Sequence, residues 1–362
     1  MRVVLSLPLS GLAAFLFSNG LLPAFADETG TADDIGIMQI DLQDAVRFNW
    51  GVQGSLQGAG TPNQAGIGGF LPLSVGVNSV FFLDAQVNLD FGDYSDYSSL
   101  VNTTVAGGTV STSSRLGYRW LTDDRDWMFG FIAGYDSRPL KAGKPDTDLS
   151  VIDSQTVFYQ QVAAGFEAVS PKWRINAYSL VPVGDVGQRL NSHYAGDALH
   201  TYGGNIGYYL TPDVIFSAGY YYQNGQNVDL DGSGVKSRIG FYAANGVEFG
   251  ANYSYDKTFE SRVSADAVIR FGGPSSTSKS KKQWHAPVIE ALSSSPKNRD
   301  VRVADPCTSF QFLCVDPIAK HLVHRVERRI NRLKFHEKNH AQRIIRRSSR
   351  LQNRVNRVRS RP

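Results

Sequence analysis

Residues 247–271 read VEFGANYSYDKTFESRVSADAVIRF. In the first half Val247, Phe249, Ala251, Tyr253 and Tyr255 alternate with Glu248, Gly250, Asn252, Ser254 and Asp256. In the second half Val263, Ala265, Ala267, Ile269 and Phe271 share one face, and Arg262, Ser264, Asp266 and Arg270 share the other. Side chains of a strand point alternately to its two faces, so each set lies on one side of a sheet. The polar side carries full charges, which a packed apolar interior would not accept unpaired. The pattern therefore predicts an apolar exterior around a polar interior.

The same alternation recurs upstream. In 80–91, Phe81, Leu83, Ala85, Val87, Leu89 and Phe91 oppose Asp84, Gln86, Asn88 and Asp90; in 46–57, Val46, Phe48, Trp50, Val52 and Leu56 oppose Arg47, Asn49, Gln53, Ser55 and Gln57. Twelve such segments can be marked: 46–57, 68–77, 80–91, 111–121, 126–136, 155–168, 172–182, 200–210, 213–223, 236–244, 246–256 and 259–271. Each is near the roughly 9–11 residues that a tilted strand needs to cross a bilayer. Their connections go long, short, long, short until the last. Long ones are 58–67, 92–110, 137–154, 183–199 and 224–235; short ones are 78–79, 122–125, 169–171, 211–212 and 245. A soluble sandwich has no cause for this order. A barrel crossing an outer membrane has one, because its periplasmic turns are tight and its outer loops are free to grow. The expected fold is all-β: an antiparallel transmembrane β-barrel of about 12 strands over 46–273, followed by a basic helical tail.

Composition and charge agree. Hydrophobic content is 42%, with Gly 35, Tyr 16 and Phe 20, as in a wall whose every second residue is apolar. Residues 274–362 hold 21 Lys+Arg against 6 Asp+Glu, while the rest of the chain is net acidic. Such asymmetry marks a separate basic segment. Residues 1–26 are expected to be a secretory signal peptide, with Arg2, an apolar stretch and Ala24-Phe25-Ala26 as the cleavage site. Residues 27–45 would be a short periplasmic lead. The expected location is the outer membrane of a diderm bacterium, with outer-membrane lipid and the barrel-assembly machinery as partners.

Several stretches are similar to successive strands of the inverse autotransporter β-domain, the barrel of intimins and invasins. They are Gly69-Phe70-Leu71-Pro72-Leu73, Val80-Phe81-Phe82, Leu116-Gly117-Tyr118-Arg119-Trp120, and Asp126-Trp127-Met128-Phe129-Gly130 running to Gly134-Tyr135-Asp136. Gly165-Phe166-Glu167, Asn176-Ala177-Tyr178-Ser179-Leu180-Val181-Pro182 and Ile269-Arg270-Phe271-Gly272 continue the series. The resemblance implies a twelve-stranded barrel whose following chain returns through the lumen and displays a C-terminal passenger. In that family passengers are arrays of adhesive domains, and many members carry a peptidoglycan-binding module before the barrel. Residues 27–45 are too few for such a module, and only 89 residues follow position 273.

Residues 274–316 read as a flexible linker, rich in Ser, Lys and Pro. It contains Cys307 and Cys314, which outside the cytoplasm are expected to form a disulfide closing a small loop. Residues 317–362 carry apolar positions at steps of three and four within an Arg-rich background, which predicts a basic amphipathic helix. Arg325, Arg328, Arg329, Arg332, Arg343, Arg346, Arg347 and Arg350 would offer it to an anionic polymer: lipopolysaccharide, a surface glycan or DNA. Kept in the periplasm, the tail would meet peptidoglycan or a partner instead.

No catalytic motif is visible, no metal site is expected and no cofactor is implied. Asp229-x-Asp231-Gly232-Ser233-Gly234 reads as an outer-loop turn, with half a calcium pattern. Asp84, Asp90, Arg115, Arg119, Arg174, Glu248, Asp266 and Arg270 are expected to face the lumen. They would serve either as a mutually paired interior or as a charged constriction setting ion preference. The leading expectation is a non-enzymatic barrel that translocates and presents its own basic C-terminal segment. The alternative is a small pore or plugged barrel with its tail in the periplasm.

Overall fold

The computed structural model describes residues 41–94, 97–145, 150–227, 230–244, 246–272 and 286–305. The proposed signal peptide, the Cys307–Cys314 pair and the arginines of the basic tail lie outside the described residues.

Twelve antiparallel strands form the wall: β1 (Asn49–Ser55), β2 (Asn63–Val75), β3 (Ser79–Phe91), β5 (Thr109–Leu121), β6 (Met128–Pro145), β7 (Thr156–Val169), β8 (Trp173–Val183), β11 (His200–Thr211), β12 (Val214–Asn224), β13 (Asp231–Ala244), β14 (Val247–Asp256) and β15 (Glu260–Gly272). Three short strands belong to long connections: β4 (Thr103–Val105), β9 (Gly187–Arg189) and β10 (Ala195–Ala198). A further one, β16 (Val303–Ala304), follows the wall. Each wall strand pairs with the next in sequence, and β1 pairs with β15 from Asn49↔Gly272 to Ser55↔Asp266. That last ladder closes the cylinder, so no wall edge is left open.

The alternation read from the sequence is the alternation of the wall. Along β3, Val80, Phe82, Asp84, Gln86, Asn88 and Asp90 are buried, and Phe81, Val87, Leu89 and Phe91 are exposed. On β14 and β15 the outward faces carry Phe249, Tyr253, Tyr255, Val263 and Phe271. Water would not tolerate such a continuous apolar belt, whereas lipid requires one. Trp50, Trp120, Trp127 and Trp173 gather at the short-turn end, where Trp50 meets Phe271 at 4.8 Å and Trp173 meets Tyr208 at 4.8 Å between ring centroids. These rings suit headgroup depth. At the other end of the wall Tyr220 faces outward, and its neighbour Tyr221 is wholly buried in the lumen.

Two local readings change. β6 extends to Pro145 through a stretch whose Pro139 and Gly143 suggest a loop. Its pairing with β5 ends at Ser137 and that with β4 begins at Ala142, so Pro139 falls where no ladder bond is needed on that side. Asp231 to Gly234 are not an outer-loop turn; they pair with Asn224 to Tyr221 in the β12–β13 ladder.

The larger correction concerns the expected flexible linker. Residues 286–305 of it are packed inside the barrel. The helix Ala286–Leu292 sits at the short-turn end with Val288, Ile289, Ala291 and Leu292 buried against Phe70, Val80, Phe82, Leu121, Met128 and Val169. The helix Leu42–Ala45, from the expected periplasmic lead, packs into the same cluster. Pro287 lies in the first helical turn, where its missing N–H costs nothing.

Candidate functional site

The site is the lumen and the segment that fills it. After the helix the chain passes Ser295, Lys297 and Arg299 at mid-depth, and Val303–Ala304 add as a third strand to the β9–β10 hairpin in the long connection 184–199. The segment thus runs from the short-turn end to the long-loop end, antiparallel to β15 before it.

Wall cations hold the main chain of this plug. Arg119 lies over the Phe82 ring at 4.4 Å and donates to the carbonyls of Leu292 (3.1 Å) and Ser294 (2.7 Å). It thereby caps the exposed carbonyls of the helix C-terminus, where a cation also suits the dipole. Its other nitrogens engage Glu167 at 3.0 and 2.8 Å. Arg115 makes a two-pronged pair with Asp136, both contacts 2.7 Å, and reaches the Asn298 carbonyl at 3.3 Å. Arg138 donates to the Val301 carbonyl at 2.8 Å and also to the Gly60 carbonyl. Lys236 donates to Asn298 Oδ1 at 3.1 Å and to the Tyr178 hydroxyl at 2.9 Å.

Wall acids hold the plug's cations. Asp84, fully buried, accepts from Arg299 at 2.5 Å and from Ser295, whose hydroxyl is also reached by Arg270. Glu248 accepts from Lys297 at 2.9 and 3.1 Å and from Arg238 at 2.8 Å. Asp266 pairs with the same Arg238. Arg174 donates to the Tyr242 hydroxyl at 3.2 Å. Asp90 accepts from Ser111 at 3.0 Å. All eight residues singled out in the sequence are therefore placed on lumen contacts, and five of them (Asp84, Arg115, Arg119, Glu248 and Arg270) touch the plug directly.

Glycine makes the room. An added Cβ at Gly134, which pairs with Arg115, would overlap the Ser114 carbonyl oxygen and lie 2.7 Å from Arg115 Cδ, and one at Gly250, two residues before the Arg238 partner Asn252, would overlap the Arg238 guanidinium, so both arginines use space that glycine leaves free. Missed from sequence were Asp136, Arg138, Glu167, Lys236 and Arg238 on the wall, and Lys297 and Arg299 on the plug. Apart from Arg138, which falls in the stretch read as a connection, the wall members occupy the polar positions of alternating strands, so the pattern that exposed Arg115 could have exposed them.

Two cavities flank the plug, about 30 and 50 Å³. The larger is lined by Gln53, Gln86, Asn88, Asp90, Arg138 and Arg299, among others. Asp90 Oδ2 and Arg138 Nη2 find no partner among the described residues. A few waters fit that volume and would satisfy both.

At the long-loop end Asp305 is fully buried and accepts the N–H groups of Val101 (2.7 Å) and Asn102 (2.8 Å). Burial pushes its carboxyl up to about 6, against the hydrogen bonds of the 101–103 segment. Burial likewise raises Asp93, which binds the N–H groups of Ser99 and Val105.

No family model matches the chain, and no curated protein matches it. Among solved structures it is similar to the COG4313 outer membrane channel from Pseudomonas putida F1, at 9% identity over 67% of this chain and 100% of that one, TM-score 0.39. It is similar to the KdgM porin at 10% identity over 62% and 99%, TM-score 0.35. It is also similar to outer membrane phospholipase A from Escherichia coli at 12% identity over 62% and 97%, TM-score 0.33. These likenesses concern barrel architecture alone. The resemblance to the intimin and invasin barrel is not supported: no family model matches the chain, and these solved structures are a channel, a porin and a phospholipase. The short motifs that carried that resemblance are strand and turn chemistry which any barrel of this size can share. The closed antiparallel wall, its lipid-facing exterior and its polar interior together make the chain a twelve-stranded β-barrel of the outer-membrane type.

Proposed function

We propose that this chain is a small outer-membrane barrel kept shut by its own segment 286–305, with no catalytic role. One observation carries the reading: lumen charges of the kind that would otherwise line a pore are engaged with the plug or with one another. The charges are thus explained by closure rather than by a constriction that selects ions.

The reading follows the plugged-barrel alternative with one change. The plug reaches the long loops at Asp305, so the chain beyond it starts at that end. With short turns toward the periplasm, we place the basic tail 317–362 at the cell surface, where its arginines would meet lipopolysaccharide, a glycan or DNA rather than peptidoglycan. The absence of catalysis is also our reading. Ser192 Oγ and His193 Nδ1 lie 2.8 Å apart, but among the described residues no carboxylate orients that imidazole as a hydrolytic triad needs.

The test compares planar-bilayer conductance of the full chain with that of a chain ending at Gly272, each checked for a folded barrel by heat-dependent gel migration. The short chain should conduct steadily and the full chain should stay closed. Equal conductance overturns the plug. A C-terminal tag labelled on intact cells supports the outer placement of the tail, and a tag labelled only after the outer membrane is opened refutes it.

A further inference from the structure

The outer end of the plug does more than occupy space. Six connections lie at the long-loop end, 56–62, 92–108, 146–155, 184–199, 225–230 and 257–259, and the five residues 301–305 bind or pack against the walls and loops around all of them. Val303 N–H reaches the Gly60 carbonyl at 3.5 Å in the first. Asp305 clamps Val101 and Asn102 in the second, and its carbonyl accepts the Asn102 side chain at 2.6 Å. Val301 and Val303 share an apolar cluster with Leu140 and Val157, the outer extensions of β6 and β7 that bracket the third. Val303–Ala304 pair with β10 in the fourth, and Leu199 N–H donates to the Arg302 carbonyl at 2.9 Å. Ala304 shares a second cluster with Phe259 of the sixth, against which Leu230 of the fifth packs.

Loops of this kind, left alone, present backbone groups that only water or each other can satisfy. Here their apolar side chains converge on one short strand. Val301, Val303, Ala304 and Asp305 are 0–2% exposed. Without them both clusters lose their centre, β10 loses a partner, and the Val101–Asn102 turn loses its anion.

We propose that residues 301–305 are the keystone of the long-loop cap, so that seating the plug and ordering the outer loops are one cooperative event. The proposal rests on the plugged-barrel reading and extends it: any force or ligand acting on the chain beyond Asp305 is transmitted to the whole loop surface. Closure of the lumen and the shape shown to the outside are then coupled.

The experiment uses three chains: the full chain, one ending at Asp305 and one ending at Asp300. Each is displayed on intact cells and treated with trypsin. Lys141 lies in the β6 ladder and Arg189 in β9, so cleavage there requires the cap to open. The full chain and the chain ending at Asp305 should resist at these two sites. The chain ending at Asp300 should be cut roughly tenfold faster or more, since cleavage follows the population of opened loops. Equal resistance of the two shortened chains overturns the keystone. If the chain ending at Asp300 fails to assemble, Val303→Asp in the full chain takes its place, with gel migration reporting an intact wall; unchanged resistance of that variant likewise overturns the proposal. Failure here is distinct from failure of the plug: a chain ending at Gly272 that conducts, beside a cap that stays protected without 301–305, keeps closure and removes the coupling.

Discussion

Asp84→Ala removes one carboxylate and should open the barrel. Asp84 is fully buried and Arg299 is 9% exposed at its side chain, so their contact is shielded from water. Deleting one partner of a buried pair costs about 3–5 kcal/mol, because the other charge is stranded. Here the penalty is smaller: Arg299 keeps Ser113 Oγ at 2.9 Å and borders the 50 Å³ polar cavity. A loss of about 2–3 kcal/mol in plug docking raises the undocked population roughly 30- to 150-fold. Single-channel recording in planar bilayers reads that population as the frequency of open events. Arg299→Met added to Asp84→Ala removes the stranded charge and should restore much of the closure, as apolar replacement of a buried pair does. An event frequency equal to wild type, in a barrel whose gel migration shows it folded, refutes the reasoning. So does a double variant that opens as often as Asp84→Ala.

Other consequences can be measured directly. Phe249→Arg, on the lipid face, should impair assembly by about 2–4 kcal/mol near midplane, whereas Ser264→Arg on the lumen side should be tolerated better in a refolding titration. A tag within 146–149 should be labelled on intact cells and one at Asn78 should not; the reverse refutes the orientation. The Asp305 carboxyl titrates near 6 when docked and near 3.8 when free, so the docked form binds more protons between those values. Docking should therefore strengthen as pH falls from about 6 towards 4 and weaken as it rises, and Asp305→Asn should abolish this trend in loop proteolysis. Loops that open more at pH 5 than at pH 7.5 contradict it.

The wall was legible because lipid imposes a strict period of two. A residue such as Phe249 or Asp266 has one permissible side, and a slip of one residue would put every charge into the membrane. The turn alternation then fixed strand order, since neighbours in sequence are neighbours in the sheet. The plug was not legible because its packing has no period. Ser293, Ser294, Ser295, Pro296 and Lys297 have the composition of a linker. What orders them is the lumen, through carbonyl groups that every residue possesses. The one sequence signal was Val288, Ile289 and Leu292 at helical spacing, an apolar stripe of seven residues that is marginal in water and stable only against a prepared surface. The lumen charges were legible as inward-facing, but not their purpose, because the plug's own Lys297 and Arg299 lie beyond the alternating pattern.

This division of labour makes a last distinction between two neighbouring residues of one contact. Arg119 recognises Ser294 through its carbonyl, while the Ser294 hydroxyl turns away to the Ala291 carbonyl at 3.0 Å. Ser294→Ala therefore keeps the wall contact and should cost no more than about 1 kcal/mol, the net worth of an ordinary hydrogen bond. Arg119→Ala removes two bonds to the helix end and strands Glu167, whose side chain is 18% exposed. That loss should reach about 3 kcal/mol or more. If the lumen reads the plug by its main chain, open events should rise slightly for Ser294→Ala and by roughly two decades for Arg119→Ala. Comparable opening in the two variants would mean that plug side chains carry the recognition here, and that the bonds from Arg119 are incidental to closure.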